Sequence, residues 1–526
     1  MKKVSILFII VAVVGSSCKK DWLTSLQTNP NAPVVSSGTP PLVLPGTLTS
    51  LVGITNGPFA NGGYQSQGAW MGYWNYSGGY SFNQTVQEYV MTNGQPQVWD
   101  QYYGVLANLN FITNYAKTNP DYYAYGAVAN ILESICYKNL VDAYEDVPYS
   151  QALQGATNFF PSYDKGSDIY DSLTAKLDAA ITTLQSTPSP TAIAIAGDDI
   201  LYSGDLTQWA KLANTLKLRL LVNESNVTAK QAFIKSEIAN TASVGYITSD
   251  ALVNPGYSAA QQGPMYGYFG VSPSGSLNSD FNYIRGGGTA LAFYISTNDP
   301  RFAYFYCSKG QDPTNGNIAK YGDYYGPAKG VITSTAGYAA DVLGIQVTQP
   351  TKGCGIGPGL IQAATQGAPL MTAAESYFVQ AEAVVRGYLT AGNAQTLYQQ
   401  GITSSYEYLG VGGTTGDPDA LATTYYSQAG VTNVSWPGAS ADQIQAIIVQ
   451  KWAALNGIAN AESWNDWRRT GFPNVPLSAS PTLASGSHIP YRYYYPNEEP
   501  TENPTAWKAA GGDQINPYTS KIFWMP

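Results

Sequence analysis

The chain has 526 residues, of which 44% are hydrophobic and 12% charged, so it has enough apolar residues for a large core and differs from disordered chains. Its formal net charge of -9 argues against nucleic-acid binding, which needs a basic surface. The single histidine, His488, argues against zinc sites and against serine or cysteine nucleophiles that depend on a histidine base.

The first 20 residues have the pattern of an export signal. Lys2 and Lys3 precede the uncharged apolar run 4–14, and small residues then lead to Cys18. The run is too short to span a bilayer, which takes about 20 apolar residues. Because the cysteine follows small residues as in a bacterial lipobox, we expect residues 1–17 to be a lipoprotein signal peptide and Cys18 to carry the acyl chains. The alternative is an ordinary signal peptide that is cleaved near Ser17.

Farther along the chain, apolar periodicity predicts mostly helices. The sequence of residues 18–45 indicates an extended segment, and that of residues 46–60 indicates a first short helix. Apolar side chains spaced near i, i+3, i+4 and i+7 predict helices over 98–115, 122–144, 168–184, 206–222, 228–242, 373–386, 391–409 and 441–456. Residues 250–370 are rich in Gly, Ser, Asn and Tyr and predict a long irregular insertion, and the tail from 472 predicts loops. This order predicts an all-α body with a loop-rich, irregular flank.

Two kinds of pattern relate the chain to known folds. The small residues around Ala381, Ala383 and Gly387 resemble the spacing in tetratricopeptide helix pairs. Four blocks resemble the SusD/RagB family of outer-membrane nutrient-binding lipoproteins, particularly its second SusD-like branch. The blocks are CKKDWL with NPN in 18–31, VDAYEDVPYSQA at 141–152, residues 199–219, and QKW with ESWNDWRRTGFP in 450–473. Glu145 stands where this family usually has a glycine.

The resemblance implies an all-α fold of tetratricopeptide-like helix pairs. We expect residues 18–526 to form a single SusD-like domain with a loop-rich insertion at about 250–370. The resemblance also implies a lipid-anchored protein on the outer face of a Gram-negative outer membrane, with a SusC-like TonB-dependent transporter as its partner. Such proteins capture glycans or other nutrients without cleaving them, and the resemblance implies no cofactor and no metal.

Candidate ligand-binding residues lie in two segments that lack the period of a buried helix. Residues 64–82 contain many aromatic residues among glycines and amides. Tyr and Trp combine an apolar ring with a polar edge, which suits sugars and also protein interfaces. From this segment we expect ligand contacts by Trp70, Tyr73, Trp74, Asn75, Tyr76 and Tyr80. A second cluster contributes Tyr266 and Tyr268, near Phe269, Asn278, Asn282 and Tyr283. The alternative for some of these rings is packing in the core.

Two groups of charged residues have both a catalytic and a structural interpretation. Glu462, Asp466, Arg468 and Arg469 resemble an acid pair with arginine clamps, but a buried network stacked on Trp464 and Trp467 is favoured.

Residues 142–146 hold three carboxylates that would suit glycoside hydrolysis or calcium, but a helix-end turn before Pro148 is favoured. A peptide ligand, an all-α glycoside hydrolase and a purely structural lid remain rivals to glycan capture. Cys136 predicts a buried free thiol, and the pairing of Cys307 with Cys354 is left open.

Overall fold

The structure is a computed structural model that describes residues 38–57, 66–76, 84–94, 98–270, 272–275, 284–307, 355–478 and 487–526. Its α-helices are α1 (Pro40–Thr55), α2 (Gly68–Trp70), α3 (Gln84–Gln87), α4 (Val98–Thr118), α5 (Tyr123–Tyr144), α6 (Gly166–Gln185), α7 (Leu206–Asn223), α8 (Gln231–Asn240), α9 (Pro264–Phe269), α10 (Gly288–Ser296), α11 (Phe302–Phe305), α12 (Ala373–Val385), α13 (Ala394–Leu409), α14 (Pro418–Tyr426), α15 (Ser440–Leu455), α16 (Asn460–Thr470), α17 (Glu499–Glu502) and α18 (Pro504–Ala509). Across these ranges, no helix combines the length and the apolar character that crossing a membrane takes.

Two rows of neighbouring helices form the body of the protein. In the first row α4, α5, α6 and α7 pack in succession, and in the second row α12 packs on α13 and α15 while α13 packs on α14. Contacts between α7 and α12 join the rows. Helix α5 has nearly all of its side chains buried, whereas α6 buries one stripe that includes Ile169, Leu173 and Leu177. This stripe has the spacing expected of an amphipathic helix that covers a core.

Helix pairs approach closely at positions that are occupied by glycine. A Cβ atom on Gly126 of α5 would lie 2.8 Å from the Cβ atom of Ala116 on α4. A Cβ atom on Gly401 of α13 would lie 2.8 Å from the ring of Phe378 on α12. These contacts explain why the predicted helix pairs need small residues, and the all-α, tetratricopeptide-like architecture is confirmed.

The strands are short and form antiparallel pairs. β1 (Trp74–Tyr76) pairs with β3 (Ile284–Gly286), β2 (Ala251–Val253) with β6 (Ala368–Met371), and β4 (Tyr306–Cys307) with β5 (Gly355–Ile356). Each pair has at least one strand within residues 250–370. The described parts of that region also send Phe269, Tyr294 and Tyr306 into the main core.

The predicted long helices are confirmed with shifts of a few residues at their ends. The first helix begins at Pro40, within the stretch predicted to be extended, because proline is well tolerated at a helix start. Helices α10, α14 and α16 were not predicted, nor were the short helices α2, α3, α9 and α11. Helices α17 and α18 correct the prediction that the tail from 472 consists of loops. The sequence of α16, NAESWNDWRRT, is so polar that it shows no apolar period although most of its side chains are buried.

Candidate functional site

Trp70 and Tyr73 lie in the protein core. Trp70 is 0% exposed, its ring centroid is 5.6 Å from that of Trp464, and its Nε1 donates to the carbonyl oxygen of Thr85 at 3.1 Å. Tyr73 stacks on Trp452 with a centroid distance of 5.1 Å, and its hydroxyl donates to the Trp452 carbonyl oxygen at 2.6 Å. Both side chains therefore fill the interior and hold distant parts of the chain together.

Trp74 is also buried, with its ring centroid 4.9 Å from that of Tyr306. These placements correct the expectation that Trp70, Tyr73 and Trp74 stack on a ligand. Their ring partners lie hundreds of residues away in the sequence, so the absence of a local helical period said nothing about exposure.

An antiparallel ladder joins the first segment that was predicted to bind ligand to the strand that directly follows the second. β1 and β3 pair in the register Trp74 with Gly286, Asn75 with Arg285, and Tyr76 with Ile284. Because the strands are antiparallel, the end of β1 and the start of β3 lie at the same end of the ladder. The side chains of Asn75 and Tyr76, and all of Tyr80, Asn278, Asn282 and Tyr283, lie outside the described part of the chain.

Helix α9 carries the other two predicted ligand residues. Tyr268 is 41% exposed, whereas Tyr266 is half-buried against the core and lines a cavity of about 20 Å³. That cavity holds no more than a water molecule, so it is not a ligand site. Phe269 is fully buried and anchors the helix, which leaves Tyr268 as an exposed ring on a fixed support. Gln261 is exposed just before α9 and was not among the predicted ligand residues. The run QQG before Pro264 was the signal in the sequence that an amide lies there.

The carboxylate of Asp142 is surrounded by hydrogen-bond donors. Its Oδ2 accepts from Lys138 Nζ at 2.7 Å and from Asn465 Nδ2 at 2.8 Å. Its Oδ1 accepts from Trp524 Nε1 at 3.1 Å and from the Tyr170 hydroxyl. With both oxygens engaged in the interior, Asp142 supports the packing of helices and does not face a substrate.

The neighbouring carboxylates form the predicted helix-end turn. Asp146 Oδ1 accepts from the Gly166 backbone N–H at 3.1 Å, and its Oδ2 pairs with Lys165 Nζ at 2.6 Å, which fixes the start of α6. Glu145 ends α5 with a φ of +72°, a backbone region that favours glycine. Its Oε2 accepts from the Phe523 backbone N–H at 2.8 Å, and burial raises the pKa of Glu145 to about 7.

Glu462 lies in a buried network of ion pairs. Its Oε1 is 2.7 Å from Lys138 Nζ and 3.6 Å from Arg219 Nη1. Burial by itself raises the pKa of Glu462, but the nearby charges of Arg219, Lys138 and Lys451 together hold it below its usual range. A carboxylate that stays ionised and enclosed in this way does not serve as a general acid.

The arginines of α16 complete this network. The Arg468 guanidinium lies 3.5 Å from the ring centroid of Trp464 and 4.9 Å from that of Trp524. Arg469 Nη2 pairs with Glu382 Oε2 at 2.8 Å and with Asp466 Oδ1 at 2.9 Å. The structural interpretation of residues 462–473 is confirmed. The predicted stacking on Trp467 is wrong, because Trp524 takes that place and the Trp467 ring lies near Tyr491 instead.

The ladder, α9 and the ionic network all lie within a stretch that matches a known family. The model of the SusD-like family, described as starch-binding and associating with the outer membrane, matches residues 47–496. The chain belongs to the SusD-like family. It is thus a member of the wider SusD/RagB group that the four sequence blocks predicted.

Solved structures of SusD-like proteins share the fold. A chitin-binding protein is 24% identical, covers 93% of this chain and 100% of its own, and superposes with a TM-score of 0.73. A chitin-binding SusD homologue from Flavobacterium johnsoniae is 21% identical over 91% of this chain and 98% of its own, with a TM-score of 0.70. A SusD homologue from Bacteroides fragilis is 24% identical over 93% and 99%, with a TM-score of 0.70. A comparison with curated proteins finds no match.

The cysteines, the single histidine and the tail tyrosines of this SusD-like chain have structural roles or lie at the surface, where the structure describes them. Cys136 is a buried free thiol, as predicted, whereas the Cys307 side chain and Cys354 lie outside the described residues. His488 is exposed, and the rings of Tyr493 and Tyr495 in the C-terminal tail are buried in the core. Among the residues that the structure describes, no group of His, Cys, Asp and Glu has an arrangement that holds a metal ion.

Proposed function

We propose that this SusD-like protein captures a glycan at the surface of a Gram-negative outer membrane and delivers it, uncleaved, to a SusC-like TonB-dependent transporter. The family match over residues 47–496 carries this proposal, because the family is described as starch-binding and associating with the outer membrane. Two structural neighbours described as chitin-binding support a polymeric sugar as the class of ligand.

The ligand surface proposed here is the exposed side of α9, which we call the loop face. Tyr268 supplies an exposed ring for stacking, and Tyr266, on the same helix, is half-buried against the core. Asn75, Tyr76 and Tyr80 stay proposed ligand residues on the sequence pattern alone. Rings that stack on the C–H faces of a sugar, beside amides that bind its hydroxyls, supply both affinity and orientation.

Membrane attachment is proposed through Cys18 after removal of residues 1–17. The pattern of a basic start, an apolar run and small residues before the cysteine supports this reading. Multiple acyl chains anchor a protein firmly, whereas a single chain holds it only marginally.

Residues 18–526 are proposed to form one domain. The burial of Phe269, Tyr294 and Tyr306, which belong to the insertion, in the main core supports this.

A binding role without turnover is supported by the surroundings of Asp142 and Glu462, one carboxylate from each of the two charged groups that had a catalytic interpretation. Asp142 accepts four hydrogen bonds, and Glu462 is enclosed by cations. Neither is placed to protonate a glycosidic oxygen, which requires a carboxylic acid with a raised pKa at the substrate.

The direct test is calorimetry of residues 19–526 with maltohexaose, chitohexaose and a peptide mixture, followed by product analysis of each sample. We expect binding to an oligosaccharide, no new products, and about tenfold weaker binding by Tyr268→Ala, because one stacked ring is lost. Tyr268→Phe is the matched control, since it keeps the ring. Binding to peptides alone would make the ligand non-sugar, and released sugar products would show an enzyme.

Anchoring and partnership have their own test. Metabolic labelling with a clickable fatty acid should mark the full-length protein and not Cys18→Ser. Purification of the lipidated protein from native membranes should recover a TonB-dependent transporter in equal amount. Recovery of the protein alone would contradict the delivery step while leaving glycan capture intact.

A further inference from the structure

A polar groove runs along the first row of helices and shares no lining residue with the loop face. Its volume is about 930 Å³, which is in the range of ligand-binding sites. Helices α4, α5 and α6 each present one side to it, and residues 149–157 form a further wall.

The lining of the groove is suited to a neutral ligand with many hydroxyl groups. Asn114 and Gln154 supply exposed amides, and most other lining side chains carry amides or hydroxyls. The one acidic side chain, Glu133, is neutralised: its Oε2 is 2.6 Å from Lys176 Nζ, and its Oε1 accepts from Thr113 Oγ1 at 3.1 Å. Lys117 adds one positive charge to the lining, where its Nζ donates to Asn114 Oδ1 at 3.3 Å. The other polar lining groups are chiefly amides and hydroxyls, which both donate and accept hydrogen bonds.

The loop that forms the wall is fixed to the helices beneath it. The Tyr103 hydroxyl donates to the Pro148 carbonyl oxygen at 2.6 Å, and Asn110 Nδ2 donates to the Leu153 carbonyl oxygen at 3.3 Å. Asp164 Oδ2 accepts from the backbone N–H of Ser150 at 2.9 Å. The groove is therefore preformed, so a ligand would not have to order this wall.

The same loop presents two adjacent phenylalanines to solvent. Phe159 is 71% exposed and Phe160 is 67% exposed, only a few residues after Thr157, which lines the groove. The loop around them is held in place, because Gln151 Oε1 accepts at 3.2 Å from both the Asn158 side chain and the Ser162 backbone. Neighbouring exposed rings on a fixed loop mark a binding surface.

We propose that this groove and Phe159–Phe160 form a second binding site for a neutral oligosaccharide. This inference rests on the proposed function, since it assigns a further segment of the same class of ligand to a different surface. In this proposal the amides and hydroxyls bind the sugar units inside the groove, and the two rings stack on units that extend beyond it along the 149–162 loop. Two sites on one protein would hold a long glycan more tightly than either alone.

The test combines hydrogen–deuterium exchange with calorimetry on residues 19–526, using chitohexaose and maltohexaose as probes. We expect the bound hexasaccharide to slow exchange in a peptide covering 149–162 as well as near α9. The double variant Phe159→Ala/Phe160→Ala should lose the protection of 149–162 and bind at that site about tenfold more weakly. Both rings are exposed, so the variant should fold. Leu42→Ala, which removes another exposed apolar side chain (73% exposed), is the control.

The outcomes separate the two proposals. Hexasaccharide binding that protects only the region near α9, with equal affinity in the double variant, would overturn the groove site and leave the loop face standing. Protection of 149–162 that is unaffected by Tyr268→Ala would support the groove as an independent site. No binding of either hexasaccharide by the wild-type protein would overturn glycan capture, and the groove site with it.

Discussion

The ion pair between Glu382 and Arg469 provides a quantitative test of the buried network. Glu382 is fully enclosed, and its Oε1 also accepts from Arg386 Nε at 2.7 Å. Burial by itself raises the pKa of Glu382, but the charges of Arg469 and Arg386 outweigh burial and lower this pKa from 4.5 to about 2. Since one pKa unit corresponds to about 1.4 kcal/mol, this carboxylate contributes about 3 kcal/mol to the free energy of unfolding at pH 7.

The pH dependence of this contribution has a definite sign. The folded-state pKa lies below the unfolded value, so the stabilisation is fully present above about pH 4.5 and is lost as the pH falls toward 2. We therefore expect Glu382→Gln to lower the free energy of unfolding by about 3 kcal/mol at pH 7. At about pH 3 the difference between variant and wild type should shrink to less than half.

Urea unfolding of both proteins, followed by tryptophan fluorescence, measures this difference. Glu498→Gln is the matched control, because Glu498 is exposed and a substitution there should change stability by no more than about 0.5 kcal/mol. An effect of Glu382→Gln no larger than that of the control, or one that does not change between pH 7 and pH 3, would refute the assignment of the stability to this charge.

Three further substitutions test the core and a buried acid by the same urea assay. Trp70→Ala should lower the free energy of unfolding by about 4 kcal/mol while leaving the glycan affinity of the folded protein unchanged; weaker binding with unaltered stability would restore Trp70 as a ligand residue. Tyr73→Phe should cost about 1 kcal/mol, because the hydrogen bond to the Trp452 carbonyl oxygen is lost, and an unchanged urea midpoint would contradict this. Burial raises the pKa of Glu224 from 4.5 to about 7, so its contribution to stability falls as the pH rises between these values. Glu224→Gln should therefore stabilise the protein by up to about 3 kcal/mol at pH 8 and have little effect at pH 4.5; an equal effect at both values would show that titration is not the cause.

The helices were predictable from the sequence where local apolar spacing decides burial. Helix α6 is such a case, since Ile169, Leu173 and Leu177 fall on the buried stripe that the period indicates. Helix α16 was not predicted, because many of its buried side chains are charged and are neutralised by partners from other helices, such as Lys138 and Glu382.

The exposed aromatic rings were harder to predict, because the exposure of a ring depends on neighbours that are distant in the sequence. Trp70, Tyr73 and Tyr268 all lie in loop-like sequence, yet only Tyr268 faces solvent, since the other two meet partners from α15 and α16. Composition correctly indicated that Tyr and Trp are abundant, but it did not separate the rings of the core from those of the surface.

The contact between Asp142 and Trp524 has a consequence for how the chain folds. The two residues are separated by 382 positions, and the Tyr493 backbone N–H likewise donates to the Ala143 carbonyl oxygen across 350. Helix α5 thus obtains some of its donors only after almost the whole chain has been synthesised. Contacts over such separations slow folding, because long loops must close before the contacts form. A nascent chain that waits for its far end in this way stays unfolded for longer, which is the state in which a polypeptide can be threaded across a membrane.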